Sequence, residues 1–218
     1  MPDDPISLLL VLATLAFLGW FALGTQWNVR KGKAVLRWLQ EGLPLVVERT
    51  TMNWVGSAAL KLTIVKASAP FRSIETLALF EPRDVVFLWA LARARGRRDL
   101  LIVRAQLDSA PKFELEVFDP HGWTTHHAES EMQKKNWAHL DLPATPSLLA
   151  YHSGNLDASV TKSLIDLATR AGGKLMRLSV RRNVPNLEIH WLLPDVKAQS
   201  SRDLFSKLRK LGEDVTRG

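Results

Sequence analysis

The stretch ISLLLVLATLAFLGWFALGTQWNVRKGK, Ile6 to Lys33, decides how the rest of the chain is read. Ile6 to Leu23 holds no charged residue, and continuing to Trp27 gives a segment of about 20 residues, the length an α-helix needs to cross a hydrocarbon core. A buried core helix or a cleaved signal competes for any such run. A secretory signal, however, has basic residues before its apolar core and small residues after it. Here Asp3 and Asp4 come before, and Arg30, Lys31, Lys33 and Arg37 come after. The positive-inside rule then puts residues 1–5 outside, a transmembrane helix over 6–27, and everything from Asn28 onward in the cytoplasm. The membrane is the cell membrane in a prokaryote and the endoplasmic reticulum in a eukaryote. Trp20 and Trp27 suit the inner interface.

Charge supports a tethered basic domain. Of 218 residues, 29 are Lys or Arg and 22 are Asp or Glu; two of the acids precede the apolar run, so the remainder sets 29 bases against 20 acids, a net +9. Such a domain is drawn to anionic partners, RNA or lipid headgroups. With 46% hydrophobic residues the chain can bury a core, and with no cysteine it has neither a disulfide framework nor a thiolate metal site.

Beyond the span, GKAVLRWLQEGLPLV has helical spacing and stops near Gly42 and Pro44, so residues 28–45 read as a basic juxtamembrane helix continuing from the membrane. Its Arg30, Lys31, Lys33 and Arg37 are expected at the membrane surface, against anionic headgroups. The rest, 46–218, reads as an α+β domain of mostly antiparallel strands and helices. ALKLTIVKA and FRSIETLALFEP form a hairpin, RDVVFLWALARARG an amphipathic helix, and RDLLIVRAQLDSAPKFELEVFDP two strands joined at Asp108 to Pro111. HGWTTHHAESEMQKKN reads as an exposed loop, WAHLDL and SLLAYHS as strands, and SSRDLFSKLRKLGEDV as a final helix. VTKSLIDLATRAGGKLMRLSVRRNVPNLEIHWLLPD repeats the order of helix, glycine stop, strand, turn and strand. That pattern suggests two related halves, 55–120 and 137–218.

A search for chemistry finds little. His121, His126 and His127, with Asp119, Glu129 and His139 nearby, offer imidazole and carboxylate ligands to a divalent metal. HHAESE is not HExxH, though, and no histidine pair has helical spacing, so solvated loop histidines are the stronger reading. There is no GxSxG, no cysteine nucleophile and no phosphate loop. The sequence predicts no catalytic residue, cofactor or small-molecule substrate. Basic clusters remain. Arg93, Arg95, Arg97 and Arg98 exceed what a helix C-terminus needs and suit RNA phosphates, which makes them the candidates for ribosome contact.

The order of elements resembles the calumin-type membrane proteins, coiled-coil-domain proteins of the endoplasmic reticulum that act with the Sec translocon. The likeness is carried by the single span with its cytosolic helix, by LFEPRDVVFLWALARARGRRDLLIVRAQL, and by LPATPSLLAYHSGNLDASVTKSLIDLATRAGGKLMRLSV with NLEIHWLLP. It implies a non-enzymatic role in membrane-protein biogenesis, with translocon or insertase subunits and the ribosome as partners. The family's long acidic luminal segment and long charged coiled coil have no counterpart in these 218 residues. Calcium binding and coiled-coil ribosome contact are therefore not carried over. The alternatives are a membrane-tethered protein-binding scaffold and, less favoured, a metal-dependent hydrolase using the three histidines.

Overall fold

The computed structural model describes residues 4–45, 47–125 and 127–217. Its first element, α1, runs unbroken from Pro5 to Gly42, with Asp4 accepting the Ile6 amide as N-cap and proline at the first helical position. Thirty-eight residues at 1.5 Å each make a rod of about 57 Å. Its two halves have opposite surroundings. The most apolar stretch is a candidate membrane span with none of its residues buried. The second half buries Asn28, Gly32, Val35, Trp38, Leu39 and Gly42, one face at three- and four-residue spacing. The span and the juxtamembrane helix of the sequence reading are thus a single helix, whose far end is part of the domain's core.

After one turn of 3₁₀ helix (Leu43–Leu45) come β1 (Val47–Val55), β2 (Ala59–Ala67), β3 (Phe71–Leu79), α2 (Val86–Ala94), β4 (Leu100–Leu107) and β5 (Glu114–Phe118). They are followed by α3 (Ala128–Lys134), β6 (Ala138–Leu140), β7 (Leu149–Ser153), α4 (Ala158–Ala171), β8 (Leu175–Val180), β9 (Leu187–Leu192) and α5 (Ser201–Arg217). The nine strands make one sheet in the order β1-β2-β3-β4-β9-β8-β5-β7-β6, and every neighbouring pair is antiparallel. The α+β class holds.

Alternation along the strands assigns the two sheet faces. Leu60, Leu62 and Ile64 of β2, Leu101 and Val103 of β4, and Leu187, Ile189 and Trp191 of β9 join one buried cluster. The cluster is closed by Val35, Trp38 and Leu39 of α1, Leu164 and Ala168 of α4, and Leu204, Phe205, Leu208, Leu211 and Val215 of α5. Trp191 is fully buried and donates its indole N–H to the Ala168 carbonyl at 2.7 Å, locking α4 onto the sheet.

Four local features differ from the sequence reading. The strands joined at Asp108 to Pro111 are not neighbours, because the β8–β9 hairpin lies between β4 and β5. The six residues 108–113 reach about 20 Å when extended, enough to cross three strand spacings totalling about 14 Å. So the β4/β5 segment and the β8/β9 segment, alike in pattern, are paired differently. β1, which pairs with β2, carries no alternation clear enough to be read beforehand. The stretch expected as a loop contains α3, pinned by buried Ala128 and Met132 against Phe118 and Tyr151. Finally, α2 buries none of its residues, so its apolar spacing does not mark a core-facing side.

Candidate functional site at the root of the span

Where α1 leaves its uncovered half, it is fastened to the segment that links β3 to α2. Gly24 permits the closest approach: a Cβ there would lie 2.1 Å from the Arg83 carbonyl oxygen. Trp20 donates its indole N–H to that same carbonyl at 2.9 Å. One turn on, Asn28, fully buried, donates to the Glu81 carbonyl at 3.0 Å and accepts from Arg83 at 3.1 Å.

Arg83 and Asp99 are the centre of this junction. The guanidinium makes two parallel bonds to the Asp99 carboxylate, both 3.0 Å, the bidentate geometry that suits arginine. Asp99 also accepts the Glu81 amide at 2.7 Å and the Lys31 ammonium. Burial by itself would raise the Asp99 carboxyl. The hydrogen bonds from Arg83, Lys31 and the Glu81 amide outweigh it and hold the group below its ordinary value. Glu81, only 2% exposed at its side chain, accepts from Trp89 at 2.6 Å and from Arg93 at 3.3 Å. Aromatic rings close the arrangement: Trp20 meets Trp89 with centroids 6.0 Å apart, and the Arg83 guanidinium sits 5.6 Å from the Trp27 ring. Beside them is a cavity of about 710 Å³ whose wall includes the three tryptophans, Arg30 and Lys31.

The basic residues singled out in the sequence fall into distinct roles here. Lys31 is an ion-pair partner of Asp99 instead of a free headgroup ligand, whereas Arg30 and Lys33 are exposed and Arg37 bonds back to the Lys33 carbonyl. Arg93 leans on Glu81 and over the Trp89 ring, 5.8 Å from its centroid. Arg97 stacks 4.7 Å from Trp123, and Arg98 caps the carbonyls of Arg93 and Arg97 at 3.0 and 2.7 Å. Gly96, at φ 78°, supplies the left-handed turn that folds this tail back. Arg95 is exposed. The four arginines therefore lie around the C-terminal end of α2, with Arg93, Arg97 and Arg98 in contact with different partners and Arg95 exposed.

The histidine candidates do not converge. His126 lies outside the described residues, while His121 and His127 are exposed. Among the described residues no three potential ligands come close enough to share an ion. Asp119 takes the Lys174 ammonium at 2.6 Å and the His121 amide at 2.9 Å.

A second polar array, unforeseen in the sequence, crosses the sheet face opposite α4 and α5. Lys61, Glu75, Arg104, Glu188, Arg177 and Glu116 stand on β2, β3, β4, β9, β8 and β5, so charge alternates over six adjacent strands. Lys61 meets Glu75 at 2.6 Å, Arg104 meets Glu188 at 3.0 Å, and fully buried Glu116 takes Arg177 at 2.5 Å as well as Arg181. Opposite charges facing each other across strands fix register. Burial raises the Glu188 carboxyl, but His190 at 2.6 Å and Arg104 override this and bring it down to about 2. Glu188 is thus held as a charged partner of Arg104, which suits cross-linking of strands better than proton transfer.

Sequence reasoning missed Asn28, Glu81, Arg83, Trp89 and Asp99. The only signal was the charged EPRD between an apolar strand and an apolar helix, together with one asparagine at the end of the span. No protein-family model matches this sequence, and no curated protein matches it. Fold and junction define a class: an α+β domain built onto a candidate membrane-spanning helix.

Proposed function

We propose that this is a non-enzymatic, single-span membrane protein whose cytoplasmic domain assists membrane-protein biogenesis beside a translocon or insertase, with the ribosome as a further contact. One observation carries the reading. The candidate membrane helix is also a core helix of the domain, and the Arg83–Asp99 junction fastens the two where the apolar run ends. A domain held this way has one height and one tilt over the lipid. That suits a protein that braces or guides another chain at the membrane surface, and a catalytic head on a flexible tether would be built differently. The net +9 beyond the span and the charge order around it support a cytoplasmic domain. The calumin-type likeness supplies the partner class. Arg93, Arg95, Arg97 and Arg98 remain the arginines offered to ribosomal RNA, with Arg95 the most available of them.

The test is crosslinking and affinity isolation of the full chain from native membranes at low and high salt. Translocon, insertase and ribosomal components are expected, and they diminish with salt because phosphate neutralisation is salt-sensitive. Changing the four arginines to glutamate removes the ribosomal fraction. If none of these components is recovered at either salt, the biogenesis reading fails. Ribosome recovery unaffected by the glutamates refutes the arginine assignment alone.

A further inference from the structure

Helix α2 has the sequence VFLWALARA, with one charged residue in nine, at its eighth position or next to last. A helix apolar around most of its circumference is ordinarily buried. This one is not: none of its residues is buried, and Phe87, Leu91, Leu88 and Val86 are 62%, 48%, 44% and 37% exposed. Its ties to the rest of the chain run mainly through Trp89, which reaches Trp20 of α1 and Glu81, and through Arg93.

Its level relative to the span says what covers it. From Ile6 to Gly24 is 19 residues, about 28 Å of helix, against a hydrocarbon core of about 30 Å. Gly24, in contact with the Arg83 backbone, therefore sits near the boundary of that core. Trp20, which Trp89 touches, lies four residues or about 6 Å further in. The apolar side chains of α2 are thus continuous with the uncovered surface of the span, at the depth where acyl chains meet headgroups. The flanking charges agree. Arg30 and Lys33 lie on α1 past Gly24 and are exposed, which fits headgroup phosphates.

We infer that α2 is an interfacial helix, immersed in the leaflet on the domain's side of the membrane, so that the domain is seated in the bilayer at two places: the span and α2. The lipid bilayer is the occupant of the apolar surface of α2, and Trp20, Trp27 and Trp89 form the aromatic level between the two. The inference needs α1 to cross a bilayer but is independent of any protein partner.

The absence of cysteine makes the test direct. Phe87→Cys and Leu91→Cys, each labelled with an environment-sensitive fluorophore, are reconstituted as the full chain into phosphatidylcholine vesicles containing one quarter phosphatidylglycerol. Val65→Cys, on a strand residue 66% exposed, is the comparison. The two α2 probes are expected to emit to the blue of the Val65 probe. Nitroxide carried on lipid acyl chains quenches them several-fold more strongly than Val65, and aqueous iodide several-fold less. Two sites are used so that one poorly folding variant does not decide the result. Iodide quenching equal to that at Val65 overturns the inference. So does shielding from both quenchers, which would identify a second copy of the chain as the cover instead of lipid.

Discussion

Replacing Asp99 with alanine tests whether the junction at the root of the span is a structural keystone. The substitution takes from the Arg83 guanidinium, whose side chain is 8% exposed, its bidentate partner in a site 6% exposed, and leaves it Glu81 at 3.4 Å and Asn28 at 3.1 Å. Removing one member of a buried pair costs about 3–5 kcal/mol when the remaining charge loses its main partner, and Glu81 beside Arg83 holds the loss toward the lower end. Lys31, 38% exposed at its side chain, is solvated when its partner goes and adds at most about 1 kcal/mol. Against a total stability of about 5–15 kcal/mol this is a large fraction. For a chain of this size it lowers the melting temperature by about 6–20 °C. The assay is thermal unfolding of the full chain in detergent, followed by near-ultraviolet circular dichroism of the tryptophans. The double variant Arg83→Met/Asp99→Leu removes both charges and is expected to recover about half of the loss or more, since an apolar pair replaces a buried ionic one at little cost. Acid supplies an independent check. The folded pKa of Asp99 is below its unfolded value, so its contribution is present above the unfolded pKa, about 4, and is lost as pH falls through the folded one. The stability gap between wild type and Asp99→Asn must therefore close below about pH 4. A melting shift under about 2 °C for Asp99→Ala, or a double variant as unstable as the single, would refute the reasoning.

Three further outcomes rest on the same geometry. Gly24→Ala sets a methyl group 2.1 Å from the Arg83 carbonyl, so α1 and the β3–α2 connection must separate. Stability is expected to fall by about 1–3 kcal/mol, and trypsin should cut between Arg93 and Arg98 faster; unchanged cleavage rates would contradict the close contact. Glu188 falls from an ordinary value near 4.5 to about 2, which corresponds to roughly 3 kcal/mol of stability present above pH 4.5 and lost as pH drops toward 2. Wild type and Glu188→Gln should thus differ most near neutrality and converge by pH 2, as measured by urea unfolding at a series of pH values. Trp191→Ala deletes a fully buried indole and its bond to Ala168, costing about 3–5 kcal/mol in the denaturation midpoint, whereas Trp191→Phe keeps much of the packing and costs less.

How much of this was legible beforehand depends on the range of the interaction concerned. The uncharged run from Ile6, the reversed charge order around it, the β2–β3 hairpin and the glycine at the end of α2 are local patterns, and the structure has the corresponding elements. The β8–β9 hairpin inserted between β4 and β5 was not legible, because a short connection can either turn back or step across strand ends, and only the packing of α4 and α5 on the completed sheet selects one. The candidate site was least legible of all. Asn28, Glu81, Arg83 and Asp99 lie up to 71 positions apart in the chain and look like ordinary surface residues until the fold brings them together. The arginines of ARARGRR show the converse: read as one basic cluster in sequence, three of them turn to different partners, Glu81, Trp123 and backbone carbonyls.

By itself, then, the sequence determined the apolar helix, the basic character of the chain beyond it and the α+β class, since hydrophobic periodicity and charge order act over a few residues. Tertiary structure alone decided that the apolar helix continues into the core, that a bidentate Arg83–Asp99 pair fastens it there, and that α2 keeps its apolar side chains outside the fold. Burial is the physical reason. Whether a charge is paired or an apolar surface covered is a property of neighbours distant in the chain, and those neighbours exist only once the sheet has formed.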